Sequence, residues 1–301
     1  MKIIVTGATG FIGGALCEEL VADGHSVKVL SRNPNYANKR LPFVERVFWW
    51  DCMAGPPSEA AMEGVEAVVN LAGERVLGRW TASKRRKIRD SRIVGTRNLV
   101  DGFRAMDTKP RILVSGSGVG IYGDRGDQEL TEDASPGSGF LSTMTAGWES
   151  EAVKARALGS KVVLLRTGLP LGRDGGTLRA LLPLFKLGLG GSLGEGRQWW
   201  PWVHLSDLVG LIFKALRSDW DGAINGVAPT PVRQREFASG LARSVGRPAL
   251  LPAPAFVIKM LLGEFSSELL HSRRALPSRA SILGYEFRFA NLEAALGNLL
   301  P

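Results

Sequence analysis

The sequence predicts an α/β protein: a doubly wound parallel sheet covered by helices, followed by a small, mostly helical C-terminal lobe. Three observations carry this. Short apolar runs alternate with helical patterns as far as residue 170. The first run leads directly into Thr6-Gly7-Ala8-Thr9-Gly10-Phe11-Ile12-Gly13, a glycine turn that opens a helix. After Arg166 the texture shifts to glycine-rich loops and proline-broken helical stretches.

The elements follow in order. Lys2–Thr6 is a short apolar strand, and Phe11–Asp23 has helical spacing that stops at Gly24. Ser26–Ser31, Arg46–Trp50 and Glu66–Leu71 are the next three strands. An unbroken helical pattern then runs from Trp80 to Phe103. Arg111–Ser115 is a fifth strand, Leu141–Ala157 a helix and Lys161–Arg166 a sixth strand. Gly172–Gly176 and Gly188–Gly196 are glycine-rich loops around a short helix, ahead of Trp199-Trp200-Pro201-Trp202-Val203-His204. A helix at Leu205–Leu216 and a strand at Ala223–Val227 return to the sheet. Pro229–Pro301 reads as mostly helical, interrupted at Pro248, Pro252 and Pro254. Residues 1–170, with 203–230 returning, are expected to form a nucleotide-binding unit, and 171–202 with 231–301 a substrate-side lobe.

Composition narrows the class. With 301 residues, 45% hydrophobic, the chain can bury a large core. Its 37 glycines show no repeat, which excludes a collagen-like chain. Cys17 and Cys52 are too few for a disulfide framework, and three scattered histidines add no metal-ligand spacing, so no metal is expected. No apolar run reaches the ~18 residues of a membrane span. The Ile3–Val5 run is too short for a signal peptide. The expectation is a soluble, cytoplasmic protein without a membrane partner. The formal charge is +9, and the densest cluster, Lys84 to Arg92, lies in the long helical pattern. It reads as a solvated face that attracts anions. No motif supports a nucleic-acid partner.

The glycines of the first turn have separate tasks. Gly7 permits the tight turn, Gly10 lets the backbone approach a pyrophosphate, and Gly13 allows close packing of helix on strand. The helix opening then offers free N–H groups and a positive dipole. This makes the unit Rossmann-type. At the end of the second strand, where an NAD site usually carries an acid, stand Ser31 and Arg32. Arg32 can fork onto a 2′-phosphate and Ser31 can add a hydrogen bond, which favours NADP(H). Leu71, Ala72 and Gly73 close the fourth strand. Either they let the chain pass close to a cofactor or they make a plain tight exit.

These residues resemble the extended short-chain dehydrogenase/reductases. Asn70 to Glu74, Ile88 to Arg92, Arg166-Thr167-Gly168, Pro201 to Asp207 and the tail near Leu269–Phe287 resemble one atypical subgroup, the sugar-nucleotide epimerase-like "epimerase family proteins". The resemblance spans essentially the whole chain. It implies a Rossmann domain that binds NADP(H), with Arg92, Leu169 and Pro170 lining the cofactor. In the wider family the chemistry rests on Ser, Tyr and Lys, the last two as Tyr-x-x-x-Lys on one helix face. Here Leu141 stands at the tyrosine place and Thr145 at the lysine place. Ser117 matches the substrate-orienting serine, expected to hold a carbonyl oxygen. Tyr122 is the nearby tyrosine: an acid/base substitute or a packing residue before a turn. An unassisted tyrosine with a pKa of about 10 is ionised about a thousandfold too rarely near neutrality, about 4 kcal/mol.

Trp199, Trp200 and Trp202 form either an aromatic wall of a substrate pocket or plain core. His204 joins that pocket or is a satisfied structural histidine. Asp207 is expected to cap the following helix. The reading is an NADP(H)-dependent oxidoreductase or epimerase-like enzyme on a small carbonyl or sugar-like substrate. Its alternative is a non-catalytic NADP(H)-sensing regulator. A homodimer is an open assembly.

Overall fold

The structure, a computed structural model, describes residues 1–300. Seven strands form one parallel sheet: β1 (Lys2–Thr6), β2 (Ser26–Ser31), β3 (Arg46–Trp49), β4 (Ala67–Asn70), β5 (Ile112–Gly118), β6 (Lys161–Thr167) and β7 (Gly222–Gly226). Their spatial order is β7-β6-β5-β4-β1-β2-β3. The chain winds outward from β1 to β3, returns to the middle, and winds out the other way from β4. The strand order reverses between β1 and β4, which opens a crevice beyond their carboxyl ends. Register aligns that edge: Thr6 faces Asn70 and Leu30, Asn70 faces Ser115, and Ser117 faces Arg166.

The strands read as near-continuous apolar runs because both sheet faces are covered. On one face lie α1 (Phe11–Ala22), through Leu16 and Leu20, and the later helix Leu205–Arg217, through Leu208 and Ile212. On the other lies α2 (Ala82–Arg104), through Leu99, Val100 and Phe103, beside Ala152 of α3 (Phe140–Val153). Each fully buried side chain of this size is worth ~1.5–3 kcal/mol. A further core gathers Phe185, Trp200, Trp202, Phe237 and Leu296 under the C-terminal helices. Two short pairings build that side: Leu169–Gly172 runs parallel to Trp202–His204, and Trp199–Trp200 antiparallel to Val232–Arg233.

The differences from the sequence expectation have local causes. α2 starts at Ala82, not Trp80, because the Thr81 hydroxyl accepts from Lys84 N–H and caps it. Trp80 is instead buried, its indole donating to the Val76 carbonyl. β5 runs on to Gly118, paired with β6 throughout, so Ser117 belongs to the strand rather than the loop after it. α3 gives way after Val153 to a tighter turn of helix over Lys154–Leu158. Sequence reading also missed the helix Pro34–Arg40. Its signals were present: Asn33 accepts from Tyr36 N–H, and proline opens the first turn.

Candidate functional site

The crevice begins at the first glycine turn. Gly7 has φ +68°, and a Cβ there would stand 2.5 Å from the Leu71 carbonyl oxygen. A Cβ on Gly13 would stand 2.4 Å from the Gly7 oxygen, so helix and strand touch through bare backbone. Gly10 is different. Its N–H closes the turn onto the Gly7 oxygen at 2.9 Å, and a Cβ there would meet only that oxygen, with open space beyond. No side chain caps α1 and no acid lies in its first turn. The positive helix end therefore stands ready for an anion. These features fit a pyrophosphate.

Phe11 and Ile12 turn inward, and Thr9 is half-buried. Ile12 packs on the sheet core. The Phe11 ring lies against a second glycine-rich segment: Cβ atoms on Gly172, Gly175 and Gly176 would come within 2.5, 2.2 and 2.8 Å of it. Those glycines exist to admit this ring, a role the sequence did not disclose.

At the end of β2, Ser31 turns the chain by accepting from Asn33 N–H at 3.1 Å. Arg32 is exposed, and among the described residues it makes neither hydrogen bond nor ion pair. Its charge reaches toward the β4 exit. There Glu74 is held below the ordinary carboxylate range by its bond to Lys84 first, with Arg32 contributing.

The Leu71–Gly73 exit is locked from below. The Thr6 hydroxyl donates to the Asn70 side-chain oxygen (2.7 Å) and accepts from the N–H groups of Leu71 and Ala72 (3.1 Å each). The Asn70 amide and the Trp148 indole both donate to the Thr96 hydroxyl. Gly73 lies over Arg92: a Cβ would stand 2.9 Å from the guanidinium carbon. One Arg92 nitrogen donates to the carbonyls of Glu74 (2.9 Å) and Ile88 (3.2 Å), and the cation faces the Trp148 ring. Burial pushes its pKa down to about 10. Leu169 and Pro170 are half-buried just past β6, on the Trp202–His204 pairing.

Beyond β5 the structure assembles groups that sequence reading left apart. The Ser117 hydroxyl donates to Glu149 of α3 at 2.5 Å. Arg166 of β6 grips the same carboxylate with two bonds of 2.9 Å. Arg166 also donates to the Tyr122 hydroxyl (3.0 Å), which donates onward to the Asn225 side-chain oxygen (2.6 Å). Burial opposes the Arg166 charge, but its bonds to Glu149 and Tyr122 hold its pKa above the ordinary range.

This network bears on two expectations. Tyr122 is fully buried with both hydroxyl functions engaged, and burial raises its pKa, so of its two readings the packing residue before a turn is the one this environment favours. Ser117 has committed its proton to a carboxylate. It presents lone pairs, which suit a ligand hydroxyl that donates rather than a carbonyl that accepts. Leu141 and Thr145 occupy the face of α3 that leads to Glu149. Leu141 packs on Gly120, and Thr145 is buried.

The proposed aromatic pocket is also corrected. Trp200 packs on Phe237, with its indole donating to the Leu269 carbonyl. Trp202 is 1% exposed and donates to the Thr230 carbonyl. Both are core, because alternate residues of these short strands point into the C-terminal lobe. Trp199 alone of the three is partly exposed, with the guanidinium groups of Arg233 and Arg274 over its ring. His204, not Asp207, caps the helix Leu205–Arg217: its Nδ1 accepts from Ser206 N–H, and its ring stacks on Phe289. Asp207 is fully buried and ties down the C-terminal segment by accepting from the N–H groups of Arg288 and Phe289.

Burial lowers the His204 pKa. A base depressed in the fold takes up its proton more readily when unfolded. Its stabilising contribution is therefore complete above the unfolded value of about 6.5 and is lost as the pH falls from there through the lower folded value. Urea unfolding at descending pH should show this loss. His204→Asn, which still caps, should flatten part of the slope. An unchanged slope refutes this account of His204.

Comparisons with known proteins identify the family and the fold. Residues 3–227 match the model of the NAD dependent epimerase/dehydratase family, and residues 253–299 that of a domain of unknown function, DUF1731. The chain is 38% identical to the Arabidopsis thaliana "Epimerase family protein SDR39U1 homolog, chloroplastic" over 98% of its length and 86% of the relative's. It is 36% identical to Bacillus subtilis "Epimerase family protein YfhF", covering 100% of this chain and 98% of that one. Its fold superimposes on the crystal structure of human epimerase family protein SDR39U1 with NADPH, with a TM-score of 0.88 and 34% identity, covering 100% of this chain and 99% of that one.

Proposed function

Because the chain belongs to the NAD dependent epimerase/dehydratase family, we propose that it binds NADP(H) and acts as an oxidoreductase or epimerase-like enzyme on a small alcohol or sugar-like substrate. The observation that carries this is Arg32, an unpaired guanidinium at the end of β2, beside an uncapped glycine turn. The backbone from Gly7 to Gly13 would seat the pyrophosphate, and Arg32 with Ser31 the 2′-phosphate. Leu71, Ala72 and Gly73, with Arg92 beneath them, would flank the cofactor from the β4 side, and Leu169 and Pro170 from the β6 side. The human relative solved with NADPH supports the same cofactor. When bound, this cofactor supplies hydride exchange at its nicotinamide.

The chain's own residues then orient the substrate. Ser117, held as an acceptor by Glu149, receives a hydrogen bond from a substrate hydroxyl. No ionisable group stands at the Leu141 and Thr145 places, so proton exchange falls to water. That absence also favours a second reading, a non-catalytic NADP(H)-sensing regulator. Cys17 and Cys52 are free thiols, which suits a reducing, cytoplasmic setting.

Thermal unfolding with each nucleotide tests the cofactor. NADPH at a hundredfold excess over its Kd should add about 2.7 kcal/mol. NADH at the same concentration should add clearly less, because it lacks a charged hydrogen-bonded contact that is worth ~1.5–3 kcal/mol of binding. Arg32→Ala should erase the difference. Equal shifts from both nucleotides on the unaltered protein would refute the 2′-phosphate assignment. A panel of alcohols with NADP+ and of carbonyls with NADPH, followed by absorbance, separates the two readings. Tight binding with no turnover supports the regulator.

A further inference from the structure

Eight of the fifteen large apolar side chains exposed among the described residues fall in two short segments, 184–189 and 250–261, so they are not scattered. The segments adjoin in space. The Arg247 guanidinium donates to the Lys186 carbonyl, Gly194 N–H to the Ala253 carbonyl, and Ala253 N–H to the Ser192 carbonyl. The helix Ala255–Leu262 is apolar except for Lys259, yet it buries only Ile258. Phe256 and Met260 stand 72% and 69% exposed, beside Leu250 at 73% and Leu187 at 72%.

Within these segments the charge has one sign, and the acids at their ends, Glu195 and Glu264, are paired with Arg197 and Arg85. Residues 175–194 and 243–263 contain no Asp or Glu, but they carry Arg179, Lys186, Arg243, Arg247 and Lys259. Lys186, Arg247 and Lys259 are exposed and make no ion pair among the described residues. A second copy docked by the same face would set these cations against one another. An apolar surface rimmed by unpaired cations suits a sheet of anionic headgroups above hydrocarbon.

We propose that this face docks the protein on an anionic lipid surface, with Phe256, Met260 and the neighbouring leucines entering the headgroup boundary. The absence of a spanning segment is no obstacle: none of the described helices can cross a membrane, and here the helix lies along the surface. Through Leu262 the face is continuous with the cluster of Trp80, Phe140 and Leu141, so it borders α3.

Flotation with vesicles tests the proposal without any substrate. Phosphatidylcholine vesicles containing phosphatidylglycerol should carry up roughly tenfold more protein than phosphatidylcholine alone, and high salt should weaken the capture. The double variant Phe256→Glu, Met260→Glu alters only exposed positions. It should lose the capture while keeping its melting temperature and its NADPH response. Equal capture by both vesicle types, none by either, or full capture of the variant overturns the proposal. So does light scattering in which the unaltered protein is a dimer that the double variant splits, since the face would then join two copies.

Discussion

Arg166→Met should cost about 3–5 kcal/mol of folding stability, because it leaves the Glu149 carboxylate buried without its cation. Glu149, Arg166 and Ser117 are each under a tenth exposed, so solvent cannot make up the loss. Removing both charges together should be far milder. In Arg166→Met, Glu149→Met neither charge is stranded, and two flexible thioethers fill the space. Denaturant unfolding of the two single variants and the double variant forms a cycle. A double variant as unstable as Arg166→Met alone would show that the pair's effect is not the stranded charge. The Tyr122 hydroxyl loses a donor in both backgrounds, and that term cancels within the cycle.

The second large effect is expected at Gly7. Gly7→Ala meets a positive φ of +68° and a carbonyl oxygen 2.5 Å from the new carbon. The conformational cost is of order 1 kcal/mol, and the overlap adds ~1–3 kcal/mol because the atom encountered is backbone. The displaced Leu71 N–H is one of the two bonded to the Thr6 hydroxyl, so the β4 exit shifts with the turn. Unfolding should report the stability loss, and calorimetric titration a large loss of NADPH affinity. Gly10→Ala is the contrast. Its Cβ has open space beyond the turn, so it should be mild for stability and severe for nucleotide binding. Equal behaviour of the two variants would refute the separate tasks given to these glycines.

The sheet was legible because its strands are short apolar runs broken by glycine, and burial on both faces leaves little ambiguity of period. β1 and β2 were read to the residue, and the remaining sheet strands to within three at either end. The first glycine turn was legible because its tasks are local. What escaped was tertiary. Glu149 and Arg166 lie seventeen positions apart on different elements, and nothing in either neighbourhood announces the pair. Ser117 was found, but its acceptor role depends on that carboxylate. The tryptophans misled because an aromatic run suits a pocket and a core equally, and only the strand pairing decides which way each ring points. His204 replaced Asp207 as cap because the helix begins at Leu205, three residues earlier than an aspartate cap at 207 requires.

The seat of the Phe11 ring has a wider meaning. The residue that opens the first helix is clasped by a hairpin more than a hundred and sixty positions later in the chain. The anion-facing amides and that distant hairpin thus form one mechanical part. A methyl group added at Gly175 would collide with the ring, so it is expected to tilt the ring, shift the helix mouth and register as weakened cofactor affinity.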